Sequence, residues 1–328
     1  MSSFQSRIIL TLLIALLPTV TAFAQTQRQP TDTIELYRKV ENLDRVPVVT
    51  SIDLDRSGKL LALGGDDQRI RLWDVEQKNF VRTFPSQHQD WVRGVAFSPD
   101  RTQLATVCQS GLVQLWDVQN GTLKKSFANA GRGAQQVVFH PDGKSLAVCG
   151  FNANVNIYDL ATGSVSKTLT AHGMNNRTIA FSPDGSLLAV GGRTGVVRVW
   201  RLAADSVLAD LKGDGRRINA IAFSPDGKKL AVGGDGPFIT VWNPQDGSLL
   251  QTLPERPGKT FSLAFCNADT LATGESDNAI RIWNLETSQN TETLVGHTGT
   301  IATMVYEPTK KQLISGSFDT TLRFWVSD

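Results

Sequence analysis

Seven aromatic residues recur along this chain at almost equal intervals. They are Trp73, Trp116, Tyr158, Trp200, Trp242, Trp283 and Trp325, separated by 43, 42, 42, 42, 41 and 42 residues. A fixed period of this length marks a chain built from one supersecondary unit stacked on copies of itself, because a unit of about 40 residues cannot bury its apolar face alone. The period therefore restricts the fold to repeat architectures, and it turns the search for function toward positions that break the repeat.

Aligned on the aromatic residue, each unit has the same plan. An alternating stretch such as Val92-Arg93-Gly94-Val95-Ala96-Phe97 leads into a turn: Ser98-Pro99-Asp100, His140-Pro141-Asp142-Gly143, Ser182-Pro183-Asp184-Gly185 or Ser224-Pro225-Asp226-Gly227. Pro presets φ for the second turn position, and Asp and Gly suit the next two, so strands flank the turn. A short apolar strand follows, as in Leu188-Ala189-Val190 or Leu230-Ala231-Val232, then a polar turn and a third strand such as Val197-Arg198-Val199-Trp200. The fourth strand carries basic and hydroxyl residues, as in Leu123-Lys124-Lys125-Ser126-Phe127, which protect an outer edge against pairing with other chains. Four antiparallel strands in each of seven periods predict an all-β fold, a seven-bladed β-propeller.

The two ends of the chain complete one another. Only Val326, Ser327 and Asp328 follow Trp325, so the seventh unit lacks its fourth strand. Ile34-Glu35-Leu36-Tyr37-Arg38-Lys39-Val40 has strand composition and no other partner. It is expected to supply the outer strand of the last blade and close the ring.

The start of the chain differs from the rest. Arg7 is the only charge before Arg28, an apolar run from Ile8 to Leu17 follows it, and Ala22-Phe23-Ala24 supplies small residues at the positions a signal peptidase inspects. Residues 1–24 read as a secretory signal peptide, 25–32 as a short linker and 33–328 as the propeller, in an exported protein, periplasmic or secreted. The apolar run is shorter than the roughly 20 residues of a membrane span. Three cysteines, Cys108, Cys149 and Cys266, are too few for a disulfide framework and read as small buried or half-buried residues. Charges nearly cancel, 33 Lys and Arg against 31 Asp and Glu. This argues against nucleic-acid binding through phosphate neutralisation.

The pattern resembles the WD-repeat propellers over essentially all of the chain after residue 24. Trp73-Asp74, Trp116-Asp117 and Tyr158-Asp159, with Trp242-Asn243 and Trp283-Asn284 as near matches, carry the likeness, together with Gly296-His297 and the Pro-Asp turns. In that family a His, a strand hydroxyl, a turn Asp and the Trp form a buried hydrogen-bonded set. The resemblance assigns this set to His297, Ser315 or Ser317, Asp319 and Trp325. His88 and His172 hold the same position in blades that have lost the Asp, while Asp67 and Asp277 keep the Asp without the His. Ser110, Asn152, Thr194 and Gly236 stand where the family has Asp.

Sites for chemistry are sparse. The chain has no phosphate-binding loop of the G-x-x-x-x-G-K type, no His-Glu-x-x-His, no paired Cys-x-x-Cys and no Gly-x-Ser-x-Gly. Neither a metal, a cofactor nor a catalytic residue is assigned. Asn120-Gly-Thr122 and Asn176-Arg-Thr178 fit the N-glycosylation pattern. The resemblance implies that partners dock on the narrow top face. Its positions here are Val48, Trp91, Gly133, Asn175, Arg217, Lys259 and Thr300, with Asp66, Gln109, Phe151, Arg193, Asp235, Ser276 and Phe318. Among them Trp91, Phe151 and Phe318 read as exposed apolar anchors, and Arg193, Arg217 and Lys259 as a basic sector suited to an acidic protein or peptide. The expected function is a monomeric, non-enzymatic protein-interaction scaffold. The alternative is a lactonase- or hydrolase-like enzyme using the central funnel.

Overall fold

Each repeat folds as its turn chemistry dictates. In the Ser-Pro-Asp turns the serine hydroxyl donates to the aspartate and accepts the backbone N–H of the next strand. Ser98 Oγ lies 2.6 Å from Asp100 Oδ1 and 2.9 Å from Gln103 N, and Ser224 Oγ stands in the same way to Asp226 and Lys229. The residue after the aspartate takes left-handed backbone, which costs glycine nothing. Gly185 has φ 74°, and Arg101, in the same place, is held at φ 67°.

The computed structural model describes residues 26–35, 46–127 and 130–326. They form seven sheets arranged as blades of four antiparallel strands, and six of these blades run from an inner to an outer strand in chain order. The inner strands are Val49–Leu54, Val92–Phe97, Gln136–Phe139, Asn176–Phe181, Ile218–Phe223, Thr260–Phe265 and Ile301–Glu307. Each packs beside the next, and the seventh beside the first, so the blades form a closed ring: a seven-bladed β-propeller. No helix among the described residues is long and apolar enough to cross a membrane.

Cohesion lies between blades. Ile70, Leu72 and Phe84 of the first blade pack with Val95, Leu104 and Trp116 of the second, and this arrangement repeats around the ring. All seven periodic aromatics are buried. Phe84 meets Trp116 edge-on at 5.6 Å between ring centroids, and Phe127 meets Tyr158 at 5.5 Å. The 42-residue spacing is thus the spacing of inter-blade anchors.

The strand Asp32–Glu35 pairs antiparallel with Thr321–Val326, Ile34 opposite Leu322, and forms the outer strand of the seventh blade. Ile34 is buried with Leu322, Phe324, Ile314 and Trp73. Residues 36–40 of the expected strand, and the expected signal segment 1–24, lie outside the described residues. A second connection was not expected. Thr26–Arg28, inside the segment read as a linker, pairs parallel with the outer strand Gln289–Leu294 of the sixth blade. Arg28 Nε lies 2.7 Å from Glu292, and Val295 N donates to Arg28 O. Three polar residues carry no strand signal of their own, and pairing to an existing edge supplies what their composition lacks.

Candidate functional site

The topology puts two loops of every blade on one face: the connection into the inner strand, and the turn between the second and third strands. In each blade one backbone hydrogen bond joins them. The donors and acceptors are Asp66 N to Val48 O, Gln109 N to Trp91 O, Phe151 N to Gly133 O, Arg193 N to Asn175 O, Asp235 N to Arg217 O, Ser276 N to Lys259 O and Phe318 N to Thr300 O. These are the fourteen positions singled out in the sequence, so all of them share that face. Gly133 N also donates to Gln109 O, and Asn175 N to Phe151 O. From Trp91 to Arg193 the face is therefore edged by an unbroken backbone ladder spanning three blades. Such a ladder fixes loop positions that side-chain contacts alone would leave free.

The large apolar groups on this face are exposed: Trp91 by 42%, Phe151 by 40% and Phe318 by 49%. The Phe151 ring lies over Gly133, whose φ is 84°, and a Cβ at Gly133 would strike it. Trp91 is partly engaged, with the Arg93 guanidinium 4.6 Å from its ring centroid. Arg93 also donates to Gln109 Oε1 from Nε at 3.1 Å and Nη2 at 2.7 Å.

The basic sector has a different shape from the one expected. Arg193 is exposed and Arg217 half-buried, and Lys259 faces Asp235 at 3.9 Å. Arg93 and Arg177 add to it from the inner strands. Six of the seven inner strands shift register near this face, leaving Thr50, Arg93, Arg177, Asn219, Phe261 and Ala302 unpaired at the bulge. All six line the central channel, a cavity of about 540 Å³. Burial pushes the Arg177 guanidinium down, and Arg217 repels it further; Arg93 is lowered by burial and by Arg177. Sequence reasoning passed over Arg93 and Arg177 because strict alternation places neither at a loop. Their signal was their place two residues after Trp91 and Asn175.

Deeper in the channel Asp53 stands at a level where the other blades have Ala96, Val138, Ala180, Ala222, Ala264 and Val305. Burial pushes its carboxyl up to about 7, against the hydrogen bond from Phe97 N at 2.7 Å. Among the described residues no three His, Cys, Asp or Glu side chains lie close enough to share a metal ion.

The histidines belong mainly to the blades. His297 Nδ1 lies 2.8 Å from Asp319 Oδ2 and Nε2 lies 2.8 Å from Ser315 Oγ, which also accepts from Trp325 Nε1 at 2.9 Å. Ser317 donates instead to Gly299 O, so Ser315 is the hydroxyl of the set. Burial lowers His297, while the bonds from His297 and Thr321 hold Asp319 well below the usual carboxylate range despite its own burial. His88 and Trp116 share Thr106 in the same way, at 2.9 and 3.0 Å.

His172 departs from the expectation. Val190 stands where Thr106 and Ser315 supply a hydroxyl, and the ring lies half-exposed, 3.9 Å from Asp210. Arg198 pairs with that same Asp210 in a two-point contact, at 2.7 and 2.8 Å. Where the turn Asp survives without the His, an arginine replaces it. Arg71 grips Asp67, and Arg281 grips Asp277 together with the buried Glu275. His140 is more than a surface turn residue: Nε2 reaches Gly185 O of the next blade at 3.0 Å and the ring packs on Phe181.

The cysteines are free, two of them buried, and burial pushes the Cys149 and Cys266 thiols up to about 12. Asn176 is buried and donates to Asn152 O and Gly173 O, so its glycosylation pattern is structural coincidence.

Comparison with known proteins finds known repeats in part of this scaffold. Residues 44–74, 78–117 and 288–326 match the WD domain, G-beta repeat, and cover the inner three strands of the first, second and seventh blades with the outer strands of the first and sixth. Three stretches of the seven-bladed ring thus carry WD repeats. The matched blades include both that bury a histidine beside a hydroxyl and a tryptophan. Residues 120–234, where that set has decayed, match a domain of unknown function (DUF7165). Relatives match the chain in segments. Kinesin-like protein KIF21B of Homo sapiens is 37% identical over 65 residues, 20% of this chain and 4% of that protein. The WD repeat-containing protein WDS homolog of Arabidopsis thaliana is 33% identical over 107 residues, 32% of this chain and 19% of the relative. WD repeat and SOCS box-containing protein 1 of Homo sapiens is 30% identical over 82 residues, 25% and 20% of the two chains. The matches thus span a fifth or less of each of these relatives.

Proposed function

We propose that this seven-bladed propeller is a non-enzymatic interaction scaffold, working in an exported compartment, that receives a protein or peptide on the face carrying Trp91, Phe151, Arg193, Arg217, Lys259 and Phe318. The observation that carries this reading is the exposure of three large aromatic residues at repeat-breaking positions on one face, two of them, Trp91 and Phe151, held by a backbone ladder. Aromatic and arginine side chains anchor interfaces because they offer large contact area and fixed hydrogen-bonding geometry. A face rigid before binding loses little freedom on docking.

Photo-crosslinkers placed at Trp91, Arg193 and Phe318 test the reading in the native compartment, against the same groups at Asp184 and Asp226 in turns of the opposite face. A shared partner captured only from the first set is the expected result. Equal capture from both faces would discard the face assignment. Alanine at Trp91 and Arg193 is expected to abolish that capture with little change in Tm, since both side chains are exposed.

A further inference from the structure

The fifth blade has lost every partner that the seventh blade gives its periodic tryptophan. Counting from Trp242, Asp214 stands where the seventh blade has His297, Val232 where it has Ser315 and Gly236 where it has Asp319. Asp214 does not enter the blade. It is exposed, accepts from Arg216 N at 3.0 Å and lies where a Cβ at Gly236 would strike it. Trp242 Nε1 donates instead to Thr240 Oγ1 on its own strand, at 2.9 Å. The room that an imidazole, a hydroxyl and a carboxylate fill in the seventh blade is here a cavity of about 290 Å³, walled by Ile218, Val232 and Trp242. The indole registers the opening. Trp242 is 8% exposed, and the other six periodic aromatics are 3% or less.

The rim of this hollow joins apolar groups to cations. Phe238 and Leu249 line it and stay 42% and 50% exposed. Lys212, Arg216 and Arg217 line it too, with Asp214 as the single acid among the lining residues. Arg217 Nε is buried without a hydrogen-bond partner among the described residues. Resting on the face assignment above, we propose that the hollow receives one aromatic side chain of a protein partner, with a carboxylate next to it in the partner's chain held by Arg217. A ring gains close contacts with apolar walls that water fills poorly, and it can meet the indole edge-on. The carboxylate matches the excess of cations on the rim and takes the fork of a guanidinium. The volume lies just under the roughly 300–1,000 Å³ of small-molecule sites, so it admits one ring and no extended group. Arg217 is itself one of the face positions, so a partner lying across the face reaches the hollow directly.

The Trp242 indole N–H resonance reads occupancy while the acetylated and amidated dipeptide Phe-Glu is added, with Phe-Gln and Ala-Glu, blocked in the same way, as controls. Phe-Glu is expected to shift that signal saturably. Phe-Gln should bind roughly tenfold more weakly, as loss of a charge-assisted contact demands, and Ala-Glu should leave the signal unmoved. Arg217→Gln is expected to bring Phe-Glu down to the affinity of Phe-Gln. Phe238→Ala should weaken Phe-Glu roughly fivefold with Tm unchanged, because that side chain is exposed. The double variant Asp214→His with Val232→Ser restores the imidazole and hydroxyl of the buried set and refills the hollow. It is expected to hold or raise Tm and to abolish the shift. An unmoved signal with Phe-Glu, an equal shift with Ala-Glu, or an undiminished shift in the double variant would each overturn the proposal. Undiminished partner capture by crosslinkers at Trp91 and Phe318 in the double variant would also overturn it, while leaving the face assignment standing. No capture in the unaltered protein would overturn the assignment itself.

Discussion

His88 and His297 occupy the same place in two blades and differ by one neighbour. His297 has Asp319; at the corresponding position His88 has Ser110, whose hydroxyl lies 3.0 Å from Cys108 Sγ, and its Nδ1 is buried without a partner. Burial pushes the His88 imidazole from 6.5 down to about 4. The unfolded chain then takes up the proton first as pH falls. The contribution of a neutral His88 is whole above about 6.5 and drains away toward 4, a loss of about 3 kcal/mol over the full window. Asp53 works in the opposite sense. Its raised carboxyl favours the folded state at low pH, and that stability is lost as pH rises from 3.8 through about 7. Total stability therefore hides both terms, and substitution separates them. Urea denaturation of His88→Gln is expected to lack the acid-side loss, and Asp53→Asn to lack the loss toward neutral pH. Ser110→Asp should give His88 the partner that His297 has, stabilising the protein by about 1 kcal/mol at pH 7. Unchanged stability of that variant would mean that the Nδ1 atom finds its partner another way.

The strand Asp32–Glu35 joins the two ends of the chain through a few backbone bonds and one buried side chain, Ile34. Ile34→Ala removes a branched side chain from between the seventh and first blades, where Trp73 and Phe324 cannot both close on the gap. A loss of about 2–4 kcal/mol is expected, read as a lower urea midpoint with unchanged slope. Removing residues 26–30 should cost less, because Thr26–Arg28 adds an exposed edge strand and no buried apolar group. The closing strand was legible because the stretch around Ile34 has strand composition and precedes the first unit of the repeat. The blades were legible because period, turn residues and alternation agree at every repeat. The parallel strand was illegible because a three-residue pairing depends on an edge that another blade supplies. The same limit applies to Arg93 and Arg177: a bulge shifts side-chain direction by one residue, and only the register between strands reveals it. His172 was misplaced because equal spacing from Trp200 says nothing about Val190, whose missing hydroxyl leaves the ring no reason to enter the blade.

Across the whole molecule, closure leaves one seam, inside the seventh blade, where Asp32–Glu35 pairs with Thr321–Val326. Within a continuous run of blades the backbone leads from each outer strand into the next inner strand, so separating two blades requires local unfolding. The chain also leads from Asp32–Glu35, the outer strand of the seventh blade, to the inner strand Val49–Leu54 of the first, so the non-covalent tie lies within the seventh blade. That tie is the pairing of Asp32–Glu35 with Thr321–Val326; between the seventh and first blades it is supplemented by Ile52 N donating to Thr303 Oγ1 at 3.3 Å, the Lys310–Glu76 pair at 2.9 Å and the Asp32–Lys78 pair. The last two are surface pairs, worth about 1 kcal/mol or less each. Repeat proteins distribute stability through nearest-neighbour interfaces, so opening should begin where the interface is weakest and spread outward. Native-state hydrogen exchange is expected to show this as a gradient. Amides in Thr321–Val326 and Asp32–Glu35 should exchange with the lowest opening free energy among paired strands, and those of Leu187–Gly192 in the fourth blade with the highest. In Ile34→Ala the seventh and first blades should exchange faster by roughly the full loss in stability, about 2–4 kcal/mol, while the fourth blade responds only through global unfolding. Identical opening free energies in all seven blades would show instead that the ring opens as one unit, with the seam as strong as the interfaces the chain crosses.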